Sequence, residues 1–157
     1  MLNLFKKNTG LDITSPVNGK SIAIENVNDA MFSQKMLGDG IAVIPNNNSF
    51  VAPCDGVITA FFPSLHAYGI TATNGCEILV HIGLETVAEN GKGFQTTKKQ
   101  GDKVSRGETI LTIDLEDLKT KYDMTTMIVV TNLNNKTISD KNINNEVTTN
   151  DVLFNLK

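Results

Sequence analysis

Ser64-Leu-His-Ala-Tyr-Gly-Ile-Thr-Ala-Thr-Asn-Gly-Cys-Glu-Ile-Leu-Val-His-Ile-Gly-Leu-Glu85 is the stretch on which the reading of this chain turns. It carries both histidines of the protein, His66 and His81, on either side of Asn74-Gly75. An Asn-Gly pair between two β-prone runs signals a hairpin, because a two-residue type I′ turn needs positive φ at both central positions. With Asn74 and Gly75 in those positions, Thr73 faces Cys76, Tyr68 faces His81 and His66 faces Gly83. Side chains alternate along a strand, so Phe62, Ser64, His66, Tyr68 and Ile70 are expected to share a face with Leu79, His81 and Gly83. The two imidazoles then become diagonal neighbours, with α-carbons about 7–8 Å apart. Gly83 leaves space opposite His66. A slip of one residue would send the rings to opposite faces, so this expectation hangs on the turn type.

Outward from the hairpin, short strands and turns dominate. Ser15-Pro16-Val17-Asn18-Gly19-Lys20-Ser21-Ile22 is echoed by Ala52-Pro53-Cys54-Asp55-Gly56-Val57-Ile58: proline, one residue, an Asn-Gly or Asp-Gly turn, then an alternating strand. Val27 to Leu37 reads as a short helical turn or loop closed by Gly38-Asp39-Gly40, and Ile41 to Pro45 as a strand. Gly101 to Leu111 is a further turn-strand unit, and Leu115 to Tyr122 is the best helix candidate. Met127 to Thr131 and Val152 to Leu156 read as closing strands around an Asn-rich segment of turns. Closely spaced short strands predict an all-β fold, an antiparallel β sandwich or barrel with repeated strand-turn units and one or two short helices. Residues 1–10 are expected to be a flexible segment and residues 11–157 a single domain.

The net charge of −3 and scattered lysines provide no basic stripe for nucleic acid. No apolar run reaches membrane-spanning length, and Met1 to Lys7 has too short an apolar core for a secretory signal. Met1, Leu2, Leu4 and Phe5 beside Lys6 and Lys7 allow at most peripheral contact with a membrane. Cys54 and Cys76 lack metal-ligand spacing and fit buried free thiols in a reducing, cytoplasmic setting.

Imidazole serves as base, metal ligand or phosphoryl acceptor. The apolar run Ile78 to Leu84 around His81 is compatible with a core histidine bonded to the backbone. Two histidines converging on one face, with none elsewhere, argue for chemistry instead. Two rings are too few for a zinc site unless Asp39, Glu85 or a partner adds a ligand. No Gly-x-Ser-x-Gly is present to support a hydrolytic triad. A transient phosphohistidine needs one attacking ring, a second to bond the phosphoryl oxygens, and an apolar collar; Phe62, Tyr68, Leu79, Met31 and Phe32 are candidates for the collar. The absence of Gly-x-x-x-x-Gly-Lys-Ser/Thr means the phosphoryl group would come from another protein.

Several ordered motifs then carry a resemblance over nearly the whole chain: Gly38-Asp39-Gly40-Ile41-Ala42, Val51-Ala52-Pro53, Asp55-Gly56, His66-Ala67, Glu77-Ile78-Leu79-Val80-His81-Ile82-Gly83-Leu84, Thr86-Val87 and Gly91-x-Gly93-Phe94. The sequence closely resembles the glucose-type IIA component of the bacterial phosphoenolpyruvate-dependent sugar phosphotransferase system. That resemblance implies an antiparallel β sandwich or barrel and a phosphotransferase component without a cofactor. It implies that His81 accepts the phosphoryl group from a histidine-containing phosphocarrier protein and passes it to a cysteine of the IIB domain of a sugar permease. His66 would support it, with Ser64 and Gly83 at the phosphoryl site. Met31, Phe32, Phe62, Tyr68, Leu79 and Glu85 would meet partners, which in relatives include regulated transporters and metabolic enzymes. Ser64 stands where many relatives carry Thr and keeps the hydroxyl; Glu85 stands where they commonly carry Asp. The turn-strand units also resemble biotinyl and lipoyl domains, but no lysine occupies the central hairpin tip.

Overall fold

The computed structural model describes residues 10–157, so the expectations for residues 1–9 lie outside the described residues. The strands are β1 (Leu11–Thr14), β2 (Gly19–Ala23), β3 (Gly40–Pro45), β4 (Ser49–Val51), β5 (Gly56–Phe61), β6 (Ala67–Ala72) and β7 (Glu77–Ile82). They continue with β8 (Phe94–Gln95), β9 (Lys103–Val104), β10 (Thr109–Ile113), β11 (Thr126–Asn132), β12 (Ile138–Ser139), β13 (Glu146–Val147) and β14 (Val152–Leu156). Among the described residues two one-turn α-helices interrupt them, α1 (Ala30–Ser33) and α2 (Leu115–Leu118), with 3-10 turns at Ile24–Asn26 and Thr86–Glu89. All pairings are antiparallel. The large sheet runs β13-β2-β3-β11-β7-β6-β5-β9, with small sheets β1-β14-β12 and β4-β10-β8 beside it. The expected all-β sandwich is what the chain forms.

The echoed segments are structural equivalents. Each contains a glycine that opens a strand, Gly19 for β2 and Gly56 for β5. A Cβ at either would collide with a carbonyl oxygen of the neighbouring strand, that of Ile44 or Thr71. The two segments also bond each other reciprocally. Thr14 N–H donates to Pro53 O (3.0 Å), and Val51 N–H donates to Pro16 O (2.8 Å). The repeat therefore reflects a real internal correspondence.

Hydrophobic burial explains the apolar run around His81. The central strands β3, β11 and β7 are covered on both faces, so strict alternation of polar and apolar residues is lost there. One face joins the main core, with Ile78, Val80, Ile82, Ile128, Val130, Ile41 and Val43. The other carries a smaller cluster of Ile24, Val27, Phe32, Ala42, Leu84, Met127 and Val129, with Ile22 and Leu79 packed against it. His81 belongs to that second face, being opposite Ala67 on one side and Met127 on the other.

Expected helices are shorter than read. α2 stops at Leu118 because the next bonds tighten: Thr120 N–H donates to Asp117 O (3.1 Å), and Thr120 Oγ1 donates to the same carbonyl (2.6 Å). The Asn-rich segment turns through positive φ at Asn134, Asn135, Asp140 and Asn144. Cys54 and Cys76 are buried free thiols, and burial pushes Cys54 up to about 12. No helix among the described residues is long and apolar enough to cross a membrane.

Candidate functional site: two imidazoles at the end of a hairpin

The β6–β7 turn differs from the two-residue expectation. Thr73, Asn74 and Gly75 form a three-residue loop in which Gly75 has φ 86 and Asn74 stays at negative φ. Gly75 N–H donates to Ala72 O (2.9 Å), and Ala72 N–H donates to Cys76 O (2.8 Å). Asn74 Oδ1 accepts from Cys76 N–H (3.0 Å), a local bond that draws Asn74 away from the left-handed region. The extra residue shifts the register by one, giving Ala67 opposite His81 and Tyr68 opposite Val80.

This corrects the face assigned to Tyr68. Its ring is fully buried in the main core and its hydroxyl donates to Val51 O (3.0 Å), so it is no part of a partner-facing collar. Such a slip should also separate the histidines, yet their ring centroids lie 5.0 Å apart at an interplanar angle of 82°. The reason is that His66 precedes β6 and escapes its alternation. Leu65, directly before it, is left-handed (φ 63) and closes a turn by donating its N–H to Phe62 O (2.8 Å). His66 O still accepts from Ile82 N–H (2.7 Å), so the backbone is tied to the ladder. The ring meets His81 through the loop and not through strand parity.

Each ring has one nitrogen engaged. His81 Nδ1 lies 2.9 Å from Gly83 O; the carbonyl can only accept, so a neutral ring carries its proton on Nδ1 and a lone pair on Nε2. Gly83 holds φ 75, and a Cβ there would lie 2.6 Å from Thr86 Cγ2 and 3.1 Å from Met124 Sδ. Thr86 Oγ1 donates to Ile82 O (2.5 Å), bracing the same bend. His66 Nδ1 lies 2.6 Å from Ser64 Oγ. Burial holds His81 down to about 4, reinforced by His66 and opposed by its Gly83 bond and Asp29. Burial also lowers His66. Both rings are therefore neutral at pH 7.

Apolar side chains frame the pair. Phe32, presented by α1, tilts against His81 with centroids 5.1 Å apart. Asp29 caps that helix by accepting from Met31 N–H (2.9 Å). Phe62 meets His66 edge-on at 5.4 Å and is 40% exposed, and Met31, which precedes Phe32 in α1, is 47% exposed. Leu79 is half-buried against the second cluster, and Glu85 is exposed at φ 62. A cavity of about 440 Å³ opens beside His66, lined by Phe62, Pro63, Ser64, Val87 and Asn90. Among the described residues no third His, Cys, Asp or Glu joins the rings in a three-ligand metal cluster.

Sequence reasoning assigned no role to Leu65, Thr86, Val87 or Asn90. Thr86-Val87 belonged to a recognised motif, which was the available signal; the left-handed turn at Leu65 has no side-chain signature, since Leu is uncommon there.

The family described as phosphoenolpyruvate-dependent sugar phosphotransferase system, EIIA 1, matches residues 11–136. The glucose-specific EIIA component of Borreliella burgdorferi is 42% identical over 132 residues, covering 83% of this chain and 70% of that protein. The glucose-specific EIICBA component of Staphylococcus carnosus is 44% identical over 127 residues, covering 80% of this chain but 19% of its own length. Among solved structures, glucose permease IIA from Mycoplasma capricolum superposes with a TM-score of 0.87 at 37% identity, covering 94% of this chain and 96% of that one. The chain belongs to the EIIA 1 family of the phosphoenolpyruvate-dependent sugar phosphotransferase system.

Proposed function

We propose that this chain is a phosphohistidine carrier for glucose-type sugar uptake, with Nε2 of His81 as the attacking atom. The observation that carries this reading is the bond between His81 Nδ1 and Gly83 O, which leaves Nε2 as the free nitrogen of a neutral ring. A histidine-containing phosphocarrier protein is the donor. Its phosphorus–nitrogen bond breaks as the bond to His81 Nε2 forms, and its imidazole leaves. His81 Nδ1 keeps its proton and donates it in a hydrogen bond to Gly83 O, whose partial negative charge offsets the positive charge the ring gains on attack. In the second step a cysteine thiolate of a permease IIB domain attacks the phosphorus, and neutral His81 is released.

His66 stabilises the transferring group. Ser64 Oγ–H donates to His66 Nδ1 in this scheme, fixing the proton on Nε2, from which it reaches the phosphoryl oxygens. Catalysis consists of positioning and charge stabilisation, as expected for a loose phosphoryl-transfer transition state. Phe32 and Leu79 limit water around His81, and exposed Met31 and Phe62 offer a greasy docking rim for both protein partners. Val87 extends that rim, and Glu85 lies exposed beside it. The relative with fused EIICBA naming supports a permease as acceptor. Residues 11–157 act as one unit on the cytoplasmic side, where phosphorylation state can also govern binding to regulated proteins.

Incubation with phosphoenolpyruvate, enzyme I and the phosphocarrier protein should add one acid-labile phosphoryl group, about 80 Da. His81→Ala should abolish that labelling. Labelling that survives the substitution rejects the reading.

A further inference from the structure

We propose that Asn90-Gly91, on the rim of the imidazole site, is the preferred deamidation site of this chain, and that the new carboxylate slows phosphoryl acceptance. The first half stands on local geometry alone. The second rests on the function proposed above.

Three Asn-Gly steps occur, at Asn18, Asn74 and Asn90. Glycine's missing side chain lets its peptide nitrogen approach the asparagine side-chain carbonyl. A bond forms between that nitrogen and Cγ, the Cγ–Nδ2 bond breaks, and ammonia leaves a succinimide. Water then opens the ring at either carbonyl to give aspartate or isoaspartate. Water is the sole co-reactant.

The fold restrains two of the three steps. Asn18 Oδ1 accepts from Thr149 N–H (2.9 Å), and Gly19 is held in β2 between β3 and β13. Asn74 Oδ1 is held by Cys76 N–H (3.0 Å), and the Gly75 N–H that would attack donates to Ala72 O (2.9 Å). Asn90 is different. It is exposed and left-handed (φ 54, ψ 37), and Gly91 follows at φ 89. Among the described residues neither the Asn90 side chain nor the Gly91 N–H makes a hydrogen bond. Attack there requires rotation of an exposed loop but breaks no bond at the reacting groups.

The position gives the modification a consequence. Asn90 lines the same cavity as Ser64 and His66. Deamidation would place a negative charge on the wall of the cavity that His66 shares, beside the ring proposed to bond the anionic phosphoryl oxygens, and isoaspartate would also lengthen the backbone by one methylene. One exposed charge on that wall should slow acceptance by about threefold to tenfold at low salt.

Ageing the full chain at mildly alkaline pH, followed by peptide mass mapping, tests the first half. The Asn90 peptide should gain about 1 Da well before those holding Asn74 and Asn18. Earlier conversion of either of the others, or none at Asn90, overturns it. For the second half, phosphoryl acceptance is compared in Asn90→Asp and in Asn90→Gln, a neutral control. The aspartate variant should be slower, with a deficit that shrinks as salt rises. Equal rates, or a deficit indifferent to salt, overturn the electrostatic effect. Failure of every variant and of the wild type to label His81 removes the second half together with the carrier reading, while the mass result for Asn90 stands or falls separately.

Discussion

His81 and His66 come within 5.0 Å of each other by different means. His81 is held by a ladder: neighbours on two strands, an apolar cluster beneath Phe32, and a bond to Gly83 O fix its ring. His66 is held by a loop, where a left-handed Leu65 and the hydroxyl of Ser64 aim a side chain that strand parity would have sent into the core. In the proposed relay the ladder-bound ring is the nucleophile and the loop-bound ring, held by Ser64, supports the phosphoryl oxygens. Substitutions should then separate reaction from support.

The largest expected contrast comes from His66→Gln. It should still take up the phosphoryl group but transfer it onward about 10²- to 10³-fold more slowly, the scale of losing one preorganised donor to a developing charge. Single-turnover transfer to a purified IIB domain measures this; unchanged onward transfer would make the loop ring dispensable.

Next is the pH dependence of stability. The folded chain holds His81 at about 4 against 6.5 for an exposed imidazole. Above about 6.5 both folded and unfolded forms are neutral and the fold has its full stability. As pH falls from there towards 4, the unfolded chain takes up the proton first and stability is lost, by about 3 kcal/mol at most. Denaturant titrations of wild type and His81→Gln between these limits should show a flatter slope in the variant. Identical slopes would mean that the strand ring is not desolvated. Burial lowers His66 in the same direction, so some acid sensitivity should persist in the variant.

Backbone geometry at Leu65 gives a smaller effect. Leu65→Val puts a β-branched residue at φ 63 and should misplace His66, slowing onward transfer by about tenfold, whereas Leu65→Asn, which tolerates that conformation, should not. Smallest is Ser64→Ala, expected to cost a few-fold in transfer, about 1 kcal/mol for one hydrogen bond, with Ser64→Thr restoring it.

Much of this arrangement was legible from residue order alone. The run Ile78 to Leu84 announced apolar surroundings for His81, though not that its strand is covered on both faces, and Pro-x-Asn-Gly with Pro-x-Asp-Gly announced two equivalent turns. The Asn-Gly hairpin was correctly located but one residue too short, because the bond from Cys76 N–H to Asn74 Oδ1 competes with the left-handed conformation a type I′ turn requires. That slip moved Tyr68 to the core. The meeting of the two rings was expected for a reason that the register removes. It survives through Leu65, whose left-handed backbone is imposed by the Phe62–Leu65 turn and leaves no trace in residue type. Asn90 was likewise invisible, since a rim position depends on how the segment after β7 folds back past His66.

The proposed relay turns on one atom, Nε2 of His81. Phosphorus and nitrogen NMR of the ¹⁵N-labelled chain after transfer from the phosphocarrier should show phosphorus coupled to Nε2 of His81, with Nδ1 keeping its proton and donating it to Gly83 O. Phosphorus coupled to Nδ1, or to either nitrogen of His66, would contradict the account.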